Sequence, residues 1–80
     1  MRYFTHLTHE GDLTFDADGK EFDDLQAARS EAMRAAGDIV AQELWKGNET
    51  VSFRIFVSDA AGQHFLRLEV NASVHLTREG

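Results

Sequence analysis

The sequence predicts an α+β fold, a two-layer ββαββ sandwich in which one long helix packs on one face of a four-stranded, mainly antiparallel sheet. Three observations carry this. Asp24 to Lys46 is the one stretch with the length and 3.6-residue periodicity of an amphipathic helix. Two strand-like segments joined by a Gly-containing turn precede it, and two more follow it. With 80 residues and no Cys, the chain has room for one core and no disulfide or thiolate metal site to staple it.

The first hairpin is read from residues 2–9, RYFTHLTH, and residues 12–16, DLTFD, which flank His9-Glu10-Gly11. A three-residue loop with Gly11 left-handed pairs Thr8 with Asp12, so that Leu7 faces Leu13 and Thr5 faces Phe15. That register gathers Tyr3, Leu7, Leu13 and Phe15 on one face. Phe4, His6, Thr8, Asp12, Thr14 and Asp16 fall on the other, a half-solvated pattern. A turn at Asp16-Ala17-Asp18-Gly19 follows.

The helix begins where Asp23 or Asp24 accepts a bond from the free N–H groups of the first turn, and it stops at Gly47-Asn48. Leu25, Ala28, Ala32, Ala36, Ile39 and Val40 share one side, with Met33 and Leu44 at its margin and Arg29 and Glu43 leaning towards it. The alanines let the helix backbone lie close to a sheet whose larger residues fill the space between. Trp45 points away from this side.

Val51, Phe53, Ile55 and Val57 alternate with Ser52, Arg54, Phe56 and Ser58, the clearest strand pattern in the chain. After Asp59-Ala60-Ala61-Gly62 the alternation resumes with His64, Leu66, Leu68 and Val70. For Ile55 to share a face with Leu66 and Leu68 the loop must hold an even number of residues. A four-residue loop with Gly62 left-handed satisfies this. It places Phe56 opposite Phe65 on the outer face, beside Arg54 and Arg67. The same parity runs on through Ala72, Val74 and Leu76. Residues 1–71 are therefore read as the domain and residues 72–80 as a strand extension or tail. Placing the first and last strands side by side at the sheet centre would explain their length.

Charge and motifs narrow the function more by exclusion than by assignment. A net charge of −6 disfavours a phosphate backbone as partner and favours a basic one. No apolar run reaches a membrane span, and the N-terminal residues lack a signal peptide's apolar stretch, so a cytoplasmic protein is expected. Asp16-Ala17-Asp18-Gly19 is reminiscent of a calcium loop. With Gly19 as its sixth position, however, Thr14 and Leu25 stand where carboxylates belong. His6, His9, His64 and His75 have no metal-ligand spacing, no serine sits in a nucleophile elbow, and no phosphate-binding loop is present. No catalytic residue, cofactor or metal is expected, and an enzyme is disfavoured.

What stands out is Phe56 and Phe65 on the outer parity. With Phe4, Arg54, Arg67, Val74 and Leu76 they form the expected interaction surface, for a second copy of the chain or another protein. Aromatics beside arginines also echo a platform for single-stranded nucleic acid, a weaker alternative at this net charge.

Taken as an ordered set, RYFTHL, the Asp-x-Asp-Gly turn, DLQAARSEAMRAAGDIVAQEL and FRIFVSDAAGQHFLRL resemble an uncharacterised family of short bacterial proteins, mainly alphaproteobacterial, classed as a domain of unknown function. The resemblance covers about residues 2–70 and implies a ββαββ domain with no activity to transfer. Asp23 replaces the usual Pro before the helix. A looser resemblance is to a small antitoxin fold, which implies a basic partner protein, although the usual C-terminal DNA-binding segment is lacking. A homodimeric, non-enzymatic interaction module is the leading expectation.

Overall fold

The computed structural model describes residues 1–79. Its elements are β1 (Arg2–His9), β2 (Asp12–Thr14), β3 (Lys20–Glu21), α1 (Leu25–Trp45), β4 (Thr50–Ser58) and β5 (His64–Ser73). The strands form one antiparallel sheet in the order β2-β1-β4-β5, with β3 pairing the start of β1. The α+β class and the helix-on-sheet layout are as predicted, with β3 added as a short fifth strand.

The apolar parity of β4 supplies half of the core: Val51, Phe53, Ile55 and Val57 are all buried, together with Tyr3 and the helix residues Ala28, Ala32 and Ala36. The alanine stripe faces the sheet as its spacing requires, and the sheet's larger residues provide the apolar bulk. Burying Ile55 and Val57 completely contributes about 2 kcal/mol each. Asp24 caps the helix, its Oδ1 accepting the Ala27 N–H at 2.8 Å. The chain leaves the helix through Gly47 at φ 91°. Trp45 is 89% exposed.

The first hairpin differs from the sequence reading by one residue. His9 pairs with Asp12, Thr8 with Leu13 and Leu7 with Thr14, around a two-residue turn. Glu10 at φ 55° and Gly11 at φ 82° give the turn its left-handed backbone, which matches the twist of the flanking strands. One residue of register exchanges the two faces of β2. Leu13 therefore lies on the open face, 51% exposed, and Phe15 is 70% exposed instead of entering the core.

Beyond β2 the chain bends away from β1 and returns as β3. Where a backbone partner is missing, the Asp16 carboxylate stands in. Its Oδ2 accepts the Thr5 N–H at 3.1 Å, and its Oδ1 accepts the Gly19 N–H at 3.0 Å. Gly19, at φ 70°, lies so close to Phe4 that a Cβ there would meet the ring at 2.8 Å.

In the second hairpin the predicted parity holds, with Ile55 opposite Leu68 and Val57 opposite Leu66. The register is two residues away from the sequence reading, however, and Phe56 faces Arg67. Ser58 pairs with His64 around a five-residue loop instead of the expected four-residue one, and a one-residue bulge at Val57/Ser58 supplies the rest of the offset and frees Phe65 from pairing with Phe56. Asp59 organises the loop, its Oδ1 accepting the N–H groups of Ala61 and Gln63 at 3.0 and 2.9 Å, with Gly62 left-handed at φ 85°. The first and last strands are not neighbours: β1 and β4 are central, and β5 is an edge strand. Its length is matched by β4, whose Val51 and Thr50 pair with Ala72 and Ser73, and the Val74 N–H reaches the Glu49 carbonyl at 2.8 Å.

Candidate functional site

The sheet face away from the helix carries Phe4, His6 and Thr8 from β1, Arg54, Phe56 and Ser58 from β4, and Arg67, Glu69 and Asn71 from β5. The seven residues expected to form one interaction surface fall in three places. Phe4, Arg54, Phe56 and Arg67 share this open face. The ring of Phe65 meets the buried Tyr3 edge-on, centroids 6.0 Å apart, and so lies apart from Phe56. Val74 and Leu76 line a separate groove beyond the helix C-terminus, beside Leu44 and Gly47.

The open face is more constrained than its residue types imply. Phe4 is half-buried over Gly19, and Phe56 is half-buried with His64 beside it, ring centroids 5.5 Å apart. Arg54 and Arg67 converge on one carboxylate. Arg67 is hydrogen-bonded to Glu69 Oε1, and Arg54 Nε stands 3.7 Å from the same atom. The Arg67 hydrogen bond and charge, with Arg54 behind them, hold the Glu69 carboxyl below its ordinary range. The two guanidinium groups are thus partly neutralised and do not form a free basic pair.

His6, Ser58 and Asp16 meet on this face in an arrangement with the composition of a hydrolytic triad. The geometry is that of a structural latch. His6 Nδ1 accepts the backbone N–H of Asp16 at 3.2 Å, so the ring proton belongs on Nε2, which donates to Ser58 Oγ at 3.0 Å. A general base for serine needs a free Nε2 and an orienting carboxylate on Nδ1–H. Here the Asp16 carboxylate faces backbone amides instead, and Ser58 is only 3% exposed. Burial alone would raise the Asp16 pKa. Amide hydrogen bonds from Thr5, Gly19 and Asp18, aided by the nearby His6, outweigh it and hold the group below 3.8.

On the helix side, the end of β1 and its turn bring the adjacent His9 and Glu10 against Glu43, far along the chain at the end of α1. His9 Nε2 lies 3.6 Å from Glu43 Oε1 and 3.9 Å from Glu10 Oε1. Glu43 is 5% exposed, with Lys46 Nζ at 2.9 Å from its Oε2 and Asn48 donating to its Oε1 at 3.2 Å. The Lys46 bond and charge hold the Glu43 carboxyl below its ordinary range against the effect of burial, with His9 and Asn48 adding to it. The sequence signal was slight: Glu43 leans towards the apolar side of the helix, where a carboxylate needs a reason.

Between α1 and β5 runs an apolar groove of about 370 Å³, lined by Met33, Ala36, Gly37 and Val40 from the helix and by Leu68 and Val70 from the strand. The helix lies chiefly over β4, so the flank of β5 is left half-covered. Leu66, Leu68, Val70 and Ala72 are all only partly buried.

A family profile described as a domain of unknown function (DUF6894) matches residues 2–71. The chain belongs to this family. The DUF6894 match starts with β1 and ends inside β5, so it takes in the helix, the open face and both histidine clusters. It bears out the family read from the ordered motifs and assigns no activity. Neither the curated proteins nor the solved structures contain a match. Among the described residues, no helix is long and apolar enough to cross a membrane.

Proposed function

We propose that this DUF6894 domain is a non-enzymatic, cytoplasmic interaction module that works as a homodimer, joined through the free edge of β5. The observation that carries the reading is the pattern Arg67-Leu68-Glu69 on a ten-residue edge strand. Pairing two copies antiparallel about Leu68 sets Arg67 of each opposite Glu69 of the other on the open face. It also sets Leu66 opposite Val70 on the helix face. Centring the pair on residue 67 or 69 would place like charges opposite one another, so the charges favour one register. The same pairing covers the half-buried flank of β5 and joins the two apolar grooves into one strip. An unpaired edge of this length invites a strand, and the strand with complementary charges is its own copy. The inactive tautomer of His6 supports the non-enzymatic part of the reading.

Sedimentation velocity tests it. Arg67→Glu turns two attractive cross-strand pairs into two repulsive ones. At about 1 kcal/mol each, this weakens the dimer by about 2 kcal/mol, a factor of about 30 in Kd. The exchange Arg67→Glu/Glu69→Arg restores opposite charges across the axis. Any repulsion of Arg54 by the new arginine is present in monomer and dimer alike and cancels from the equilibrium. A wild-type protein that remains monomeric at about 100 μM, or a dimer indifferent to Arg67→Glu, overturns the proposal.

A further inference from the structure

The geometry points to a transition-metal site at His9, Glu10 and Glu43, one that takes a divalent ion of the zinc type and ties the β1–β2 turn to the C-terminal end of α1. His9 Nε2 and one oxygen from each glutamate lie within 4.8 Å of one another, with the histidine 3.6 and 3.9 Å from the two oxygens. Zinc bound at about 2.0–2.1 Å by nitrogen and oxygen separates neighbouring tetrahedral ligands by about 3.3 Å. Rotamer adjustments of the two glutamates, chiefly of the exposed Glu10, would close the triangle and leave the fourth position for water. As they stand, the histidine–carboxylate distances are too long for hydrogen bonds. A metal ion would need the tautomer that leaves Nε2 free, with the proton on Nδ1.

The surroundings favour a built site. The Glu43 carboxylate is already buried, and the Asn48 amide and the Lys46 ammonium orient it as outer-shell partners orient metal ligands. Lys46 sits on Oε2 and leaves Oε1 turned towards His9. The His9 ring is steadied by Phe53, edge-on with centroids 5.9 Å apart. Glu10 occupies a turn position at φ 55°, which Asn, Asp or Gly would fill with less strain. A ligand role accounts for a glutamate there.

The test is calorimetric titration of chelator-treated full-length protein with zinc chloride, alongside the visible spectrum of the cobalt(II) form. One ion per chain is expected, with the intense absorption of a four-coordinate cobalt centre. Affinity should fall by about tenfold or more in both His9→Gln and Glu10→Gln and stay unchanged in His64→Gln, whose histidine lies on the other face. Glu10 is exposed, so its variant reports on binding without loss of fold, and circular dichroism verifies this for His9→Gln. The inference is overturned if the wild type takes up no zinc below about 100 μM. It is equally overturned if binding survives both substitutions.

Discussion

Replacing Gly19 by alanine measures how tightly the Asp16–Gly19 bend is fitted beneath Phe4. Two costs add. The backbone at φ 70° imposes about 1–2 kcal/mol on any residue with a Cβ. The new methyl would also meet Phe4 Cε1 at 2.8 Å and Arg2 Cγ at 3.0 Å, so the ring must move, at a further 1–2 kcal/mol or so typical of overpacking. The total is about 2–4 kcal/mol. For a domain of this length, with an unfolding entropy of about 2.1 cal/mol/K per residue, that lowers Tm by about 12–24 °C. Gly62→Ala is the control, since φ is 85° but nothing lies within 4 Å of the added Cβ. It should cost only the backbone part, about 6–12 °C. Thermal and urea unfolding of both variants give the comparison. A Gly19→Ala protein no less stable than Gly62→Ala would refute the close approach of the bend to Phe4.

Acid should destabilise the fold through Asp16. Its carboxyl is held below 3.8 when folded, so its contribution is complete above that value and is lost as pH falls through the folded pKa. Urea unfolding of Asp16→Asn should show a shallower decline between pH 5 and pH 3, roughly, than the wild type. Ser58→Ala removes the acceptor of the His6 Nε2–H and should cost about 1 kcal/mol in the same assay. Leu13→Ser should change stability by less than about 0.5 kcal/mol, whereas Ile55→Ala should cost about 2–5 kcal/mol. Comparable losses would restore the register in which Leu13 enters the core. Trp45, the single tryptophan, should emit as a water-exposed indole in the native protein and shift little on unfolding.

The helix and β4 were legible because their signals are local and mutually consistent. Asp24 caps, Gly47 stops, the alanines recur at helical spacing, and the alternation from Val51 to Val57 is unbroken. The first hairpin was misread because Glu10 is a poor residue for positive φ, and because pairing Leu7 with Leu13 satisfied the hydrophobic pattern. The turn adopts the two-residue geometry that matches strand twist and leaves Leu13 and Phe15 in water. In the second hairpin the apolar parity of the two strands found the correct face, but the loop holds five residues rather than four, and the bulge that restores the parity has no apolar signature. Phe65 accordingly meets Tyr3 and not Phe56, a contact the strand pattern does not show. Tertiary contacts alone bring His6 to Ser58 and His9 to Glu43, so neither cluster has a spacing that a sequence could display.

The subdivided outer neighbour of β1 has a consequence for growth. A sheet that can add strands at both margins can extend without limit, as fibrils do. Here one margin is a three-residue strand, a bend held by the Asp16 carboxylate, and a two-residue strand, none of which offers a continuous template. Among the described residues, the β5 margin alone presents a long continuous strand. Were two copies to pair through it, as proposed, that association would use up the one competent margin of each, and assembly would terminate at two rather than polymerise.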